Sequence, residues 1–380
     1  MLKLLPILFG ALFMAMMTGS DKKRGPMDRH QPMANRIAFF LLVVCLAMPV
    51  ALREKYNDTV TYLRNFVYGN TFSELMASGS LHILKNPAFR IYSAVVRSFT
   101  DNYTIFFLFP AFFVQYSYMR FIYRHCPDFV VGVFLFFCLG TYTFAIAAMK
   151  QTIATAVALY AVDDLIERRH RGFYVKVFIA FLFHTYALVF LLLPLFTDKP
   201  WTFRTLLLLA GIYFFMANFD SVIESFLEIA NESGKGVSGS EIIGTASINP
   251  IRVAVYAVAP LFALVFRRYL FYGPDDREHN ILVNMSIISV SIMSLGLISA
   301  ANMFARLAQY LEFGLICSLP WMIRKPFEKM SGRLIMFIAL ACFTAFFVYS
   351  QAFWIPFDNI YQKRTLMDFF QSLVDAYLYG

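Results

Sequence analysis

Long apolar stretches, each approaching the length of a bilayer crossing, follow one another along this chain and are separated by short basic clusters. About 20 apolar residues in helical form cross the hydrocarbon, where only helices and closed barrels satisfy every backbone polar group. The stretches fall at about 1–19, 36–52, 103–122, 128–148, 150–166, 172–197, 201–217, 251–270, 281–301, 303–322 and 334–354. The expected fold is therefore all-α, a polytopic integral membrane protein with about 11–12 transmembrane helices. Composition excludes the soluble classes, because 59% of residues are hydrophobic and only 15% charged, with a mean hydropathy of +0.61.

The formal charge of +9 does not point to nucleic acid, since the cations lie between apolar segments, as cytoplasmic loops do under the positive-inside rule. Lys22-Lys23-Arg24, Arg120 to His125, Arg168 to Arg171, Arg267-Arg268 and Arg324-Lys325 mark that side. The first of these clusters, with Arg29, favours reading the N-terminal stretch as an uncleaved span rather than a signal peptide. A transmembrane domain over 1–354 is expected, with exported loops at 53–101 and 218–250 and an amphipathic tail at 355–380. From Asn86 to Thr100, Phe89, Tyr92, Val95, Val96 and Phe99 recur at helical spacing beside Arg90 and Arg97, which predicts an interfacial amphipathic helix in the first exported loop. Five cysteines are scattered, with no CxxC pair and no Cys/His metal spacing, so neither a metal site nor a cofactor is expected.

Parity raises a problem inside this scheme. Two cytoplasmic clusters, Arg168–Arg171 and Arg267-Arg268, flank three apolar stretches, 172–197, 201–217 and 251–270, where an even number of crossings is required. Either 172–197 is two half-helices meeting near His184, or one span is misdrawn; broken helices are tolerated where they line a polar cavity.

Ionisable groups against apolar runs carry the functional signal, because each costs roughly 2.5 to 3.5 kcal/mol even on lenient insertion scales. Arg53, Asp58 and Tyr62 stand where the second span leaves the membrane, and on a helix Asp58 and Tyr62 share a face. A carboxylate there suits deprotonation of a sugar hydroxyl and an arginine suits bidentate phosphate binding; the plainer alternative is a polar helix end with a snorkelling arginine. Lys150 and Gln151 open a span rich in small residues, either as a charged contact for a ligand or as an interfacial anchor. His184 lies mid-run and is read as a base or as a satisfied core histidine. Arg306, Gln309 and Tyr310 share a helical face suited to an anion or to a structural ion pair.

In this order, the motifs resemble the EpsG-like family of exopolysaccharide polymerases, within the broader Wzy-like group, over about residues 36 to 320. The resemblance rests on Arg53 with Asp58-Thr59-x-x-Tyr62, Asn86-Pro87-Ala88-Phe89, Lys150-Gln151 through Ala154, Phe183-His184, and Arg306 with Tyr310. Two positions depart from the family pattern: Lys150 stands where Arg is common, and Asn86 stands where a Glu is usual, leaving Asp58 and Glu74 as the carboxylates of that loop. The resemblance implies a membrane glycosyltransferase of the bacterial cytoplasmic (inner) membrane, with its active site toward the extracytoplasmic side. It would move a growing glycan from a polyprenyl diphosphate to the free sugar end of another lipid-linked repeat unit. Implied partners are the polyprenyl diphosphate-linked oligosaccharide, membrane lipid, a chain-length regulator and other polysaccharide assembly proteins. Asp58, His184 and Arg306 are the expected catalytic residues, with Arg53, Tyr62, Lys150, Gln151, Gln309 and Tyr310 binding substrate. A flippase for the same lipid-linked oligosaccharide and a glycan ligase are the alternatives, and no sequence symmetry between 1–190 and 191–380 favours the flippase.

Overall fold

The computed structural model describes residues 4–19, 25–54, 56–78, 86–217, 248–297 and 302–353, and all regular structure among them is helical. The expected exported loop 218–250 lies almost wholly outside these residues, as does the tail 355–380. The chain forms two compact units, Met1–Leu188 with Ile338–Gly380, and Val189–Phe337.

In the first unit, α1 (Leu5–Met17) and α2 (Met33–Ala51) pack together, and α2 packs on the long α6 (Tyr103–His125). Asn102 starts α6 by accepting the Thr104 amide at 2.9 Å. Helix α6 packs on α9 (Met149–Ile166), and α9 on α10 (His170–Phe183). Charges brace both contacts. Asp163, buried on α9, accepts from Arg120 Nη1 at 2.7 Å and lies 2.6 Å from His125 Nε2, while Asp164 pairs with Arg169 and Lys176. The segment 53–101 contains α3 (Thr59–Val67), α4 (Phe72–Ala77) and α5 (Pro87–Phe99), so the stretch expected to be an amphipathic helix is helical and starts on a proline at its first position. Phe89 and Val96 are buried on α5, whereas Val95 and Phe99 are exposed.

Among the described residues, three helices are long and apolar enough to cross a membrane, Met33–Ala51, Tyr103–His125 and Lys329–Gln351, or four if a bent pair counts as one span. Continuous crossings at all of the expected positions are therefore not what forms. The stretch 128–148 is broken into α7 (Phe129–Cys138) and α8 (Thr141–Ala147), bent by 58°. Gly140 causes the break: its φ of +80° is left-handed, a conformation that costs glycine nothing and ends the preceding helix. Helix α10 likewise stops at Phe183, with His184 extended and a 3-10 segment over Thr185–Phe196. No continuous helix runs through Phe183, His184 and Thr185. The stretch 251–270 becomes Pro250–Val265 and Arg267–Leu270, and 303–322 becomes Asn302–Gln309 and Phe313–Arg324.

Within the second unit, the helix Arg277–Leu295 is the hub, packing on Pro250–Val265, Asn302–Gln309 and Phe313–Arg324. Gly314 permits the last contact, because a Cβ there would collide with the Leu282 carbonyl oxygen. Asn284 holds the end of the 3-10 segment, donating to the carbonyls of Phe196 at 2.7 Å and Asp198 at 2.9 Å.

Candidate functional site

The chain leaves α2 at Leu52 and turns through Arg53 and Tyr56 into α3. Arg53 is only 1% exposed. Its Nη1 donates to the Val50 carbonyl at 3.0 Å, its Nε to Thr59 Oγ1 at 3.2 Å, and its guanidinium carbon sits 4.2 Å from the centre of the Phe107 ring. Its Nη2 is buried with no hydrogen-bond partner, and it forms no ion pair with a carboxylate among the described residues. Burial lowers its pKa to about 10, which still leaves a full positive charge at neutral pH. A buried, incompletely partnered cation is costly, so its retention needs a counterpart.

Asp58 caps α3 by position alone: its carbonyl accepts the Tyr62 amide at 3.0 Å, but its side chain makes no cap hydrogen bond. The carboxylate is half-buried beside the start of the helix. Glu74, the other carboxylate of this loop, is occupied. It accepts the Thr71 amide at 2.8 Å and completes a capping box at the head of α4, and that backbone donor holds it below the usual carboxylate range.

Lys150 stands second in α9, where a cation opposes the helix dipole and an anion would be favoured. Its ammonium lies 5.0 Å from the ring centre of Phe89 and 5.6 Å from that of Tyr62, and these rings pack at 5.8 Å. Thus α3, α5 and α9 meet at one lysine. Beside it opens a cleft of about 340 Å³ lined by Lys150 and Phe89 together with Arg64, Tyr68, Arg90 and Ser93. Asn65 and Asn70 complete its polar wall, and no carboxylate lines it. Gln151 is buried behind Lys150 and is not part of the lining.

Other expected site residues are placed differently. His184 ends α10; its Nδ1 accepts the Tyr186 amide at 3.4 Å, and the two rings meet edge to face at 4.8 Å. It does not line the cleft. In the second unit the helix carrying Arg306 ends at Gln309, so Tyr310 falls in the following turn and the expected common face is lost. Arg306 is exposed, whereas Gln309 and Tyr310 are buried, Tyr310 edge-on to Phe190 at 6.0 Å.

Two polar groupings were not anticipated. Arg64 and Tyr68 have the i,i+4 spacing of one helix face, which was legible, but their meeting with Arg90 and Lys150 depends on the packing of three helices. In the second unit, Tyr256 donates to Glu312 Oε2 at 2.7 Å and stacks beneath Arg252 at 5.4 Å. A glutamate and an arginine in apolar runs were the available signal there.

The family model of the EpsG family matches residues 36–359. No curated protein and no solved structure matches the chain.

Proposed function

This chain belongs to the EpsG family, which implies an exopolysaccharide polymerase-like membrane protein, and from that premise we propose that it is a glycosyltransferase working on lipid-linked repeat units at the extracytoplasmic face. The observation that carries the proposal is Lys150 at the mouth of a cation-lined cleft, beside a loop holding the incompletely satisfied Arg53.

In the proposed reaction a hydroxyl of the acceptor repeat unit attacks the anomeric carbon of the growing glycan. The bond from that carbon to the polyprenyl diphosphate breaks, a glycosidic bond forms, and the diphosphate leaves with the electron pair. Cations placed where that charge develops lower the barrier, because the leaving group needs neutralising more than protonating. Lys150 is assigned that role, with Arg53 preorganising the loop and presenting Nη2 as a further donor. Asp58, whose carboxylate no cap holds, is assigned as the base that takes the hydroxyl proton. His184 is an alternative base and Arg306 a further anion-binding candidate, both on sequence grounds. The interfacial placement of α5 belongs to the same proposal, its exposed Val95 and Phe99 suiting a membrane surface.

Deleting the gene and sizing the lipid-linked glycan tests this reading. Accumulation of a single repeat unit on the exported face is expected. Accumulation on the cytoplasmic face would replace it with a flippase, and unchanged polymer would reject it.

A further inference from the structure

Three cations from three helices converge on the cleft beside Lys150 without a carboxylate among them. Arg64 lies in the last turn of α3, Arg90 on the first turn of α5, and Lys150 at the start of α9. The contrast within α5 is informative: Arg97 is paired with Asp101, four residues on, whereas Arg90 and Arg64 have no ion pair among the described residues. Gathering like charges costs energy that a bound anion removes. The lining also supplies the amides of Asn65 and Asn70, the Ser93 hydroxyl, and the rings of Tyr68 and Phe89, groups that suit the hydroxyls and faces of a sugar.

Resting on the polymerase reading, which puts the diphosphate at Lys150, we propose that the cleft beyond it binds an anionic group on the substrate, with Arg64 and Arg90 as donors and Asn65, Asn70 and Tyr68 holding the sugar that bears it. Planar guanidinium groups match a carboxylate or a phosphate through two parallel bonds. The repeat unit handled by this protein is therefore acidic, a uronic acid or a sugar bearing an acidic substituent. The other source of the same chemistry is the carrier's own diphosphate. A largely polar cleft suits a glycan better than a headgroup trailing a polyprenyl chain.

Titration calorimetry on the full chain in lipid nanodiscs tests the assignment with three probes: a glucuronic acid-containing disaccharide, the matching neutral disaccharide, and inorganic diphosphate. The acidic disaccharide is expected to bind and the neutral one not, with binding weakened about tenfold in Arg64→Gln and in Arg90→Gln, and weakened again as salt is raised. Arg29→Gln, outside the cleft, leaves binding unchanged. Arginine-dependent binding of diphosphate alone keeps the anion site but assigns it to the carrier. Binding insensitive to both arginine variants, or equal binding of the two disaccharides, overturns the proposal. Because these readouts need no turnover, they separate from the polymerase reading: arginine-dependent binding without single-repeat accumulation on deletion would keep the cleft and discard the polymerase.

Discussion

Arg53 and Lys150 illustrate two ways in which a cation can be held near a membrane. Arg53 is enclosed, with two of its donors on the Val50 carbonyl and the Thr59 hydroxyl and its plane over Phe107. Replacing a buried charge by an apolar residue of similar size is often neutral. Here Arg53→Met removes the side-chain donor to the Val50 carbonyl and leaves the Thr59 hydroxyl with its bond to the Tyr56 carbonyl alone, so a loss of about 2 kcal/mol is expected, read as a lower melting temperature in detergent. Loss of polymer should exceed what the fall in protein level explains; normal polymer from the surviving protein would make Arg53 a brace and nothing more. Lys150 is half-buried on the cleft wall, its ammonium beside the rings of Phe89 and Tyr62. Lys150→Ala should lower polymer output by about tenfold or more with membrane levels unchanged, and Lys150→Arg should retain most of it. Gel profiles of the polysaccharide against immunoblots of the protein check both, and wild-type output from Lys150→Ala would remove it from the mechanism.

At the scale of elements, helix ends and helix contacts account for most of the differences between expectation and structure. Apolar runs announce helices but not their breaks. The stretch 128–148 reads as one span until Gly140 adopts a left-handed φ, and the break at His184 has no glycine or proline to mark it. There the imidazole Nδ1 accepts the Tyr186 amide, a side-chain competitor for a donor that helix continuation would use. Where α6 meets α9, Asp163 serves Arg120, Arg124 and His125 together. Asp163→Ala leaves that cluster without its anion and should cost about 3 to 5 kcal/mol, seen as loss of folded protein in a fluorescence-detected melt. A variant melting with the wild type would show the network to be superficial. On α4, the lowered pKa of Glu74 means that its contribution exists above the ordinary value of about 4.3 and disappears as pH falls through the lowered one. Amide protection factors over residues 72–78, corrected for the intrinsic pH dependence of exchange, should therefore fall on acidification in the wild type and stay level in Glu74→Gln. Equal pH dependence in both would exclude the cap as the cause.

For the whole molecule, orientation decides whether the cleft meets exported substrate. Under the positive-inside rule the basic clusters lead to the expectation that residues 53–101 are exported. In a chain whose native cysteines are replaced, Asn70→Cys, exposed at the cleft, should react with a membrane-impermeant maleimide in intact cells. Labelling only after permeabilisation would invert the topology and with it the proposed site. The family was legible from short motifs scattered over most of the chain, and the family match from 36 to 359 agrees. The candidate site was legible only in part: Arg53, Asp58, Tyr62 and Lys150 stand out as charged or phenolic groups beside apolar runs, whereas Arg64 and Arg90 look like ordinary surface arginines. Conversely, Arg306, Gln309 and Tyr310 look co-facial only if their helix continues, and it ends at Gln309.

The sequence by itself determined that this chain is helical and belongs in a membrane, since backbone satisfaction in hydrocarbon leaves little else for such apolar runs to do. It also determined which family it joins, because motif order is a property of the linear chain. Tertiary structure alone decided which cations meet, and the folded backbone decided where the helices break and which carboxylate a cap holds. Those outcomes depend on competition for single backbone donors, as at His184 and Glu74, and on three helices bringing residues 64, 90 and 150 to one cleft. Neither a hydrogen-bond competition nor a contact between distant helices leaves a periodic trace in sequence.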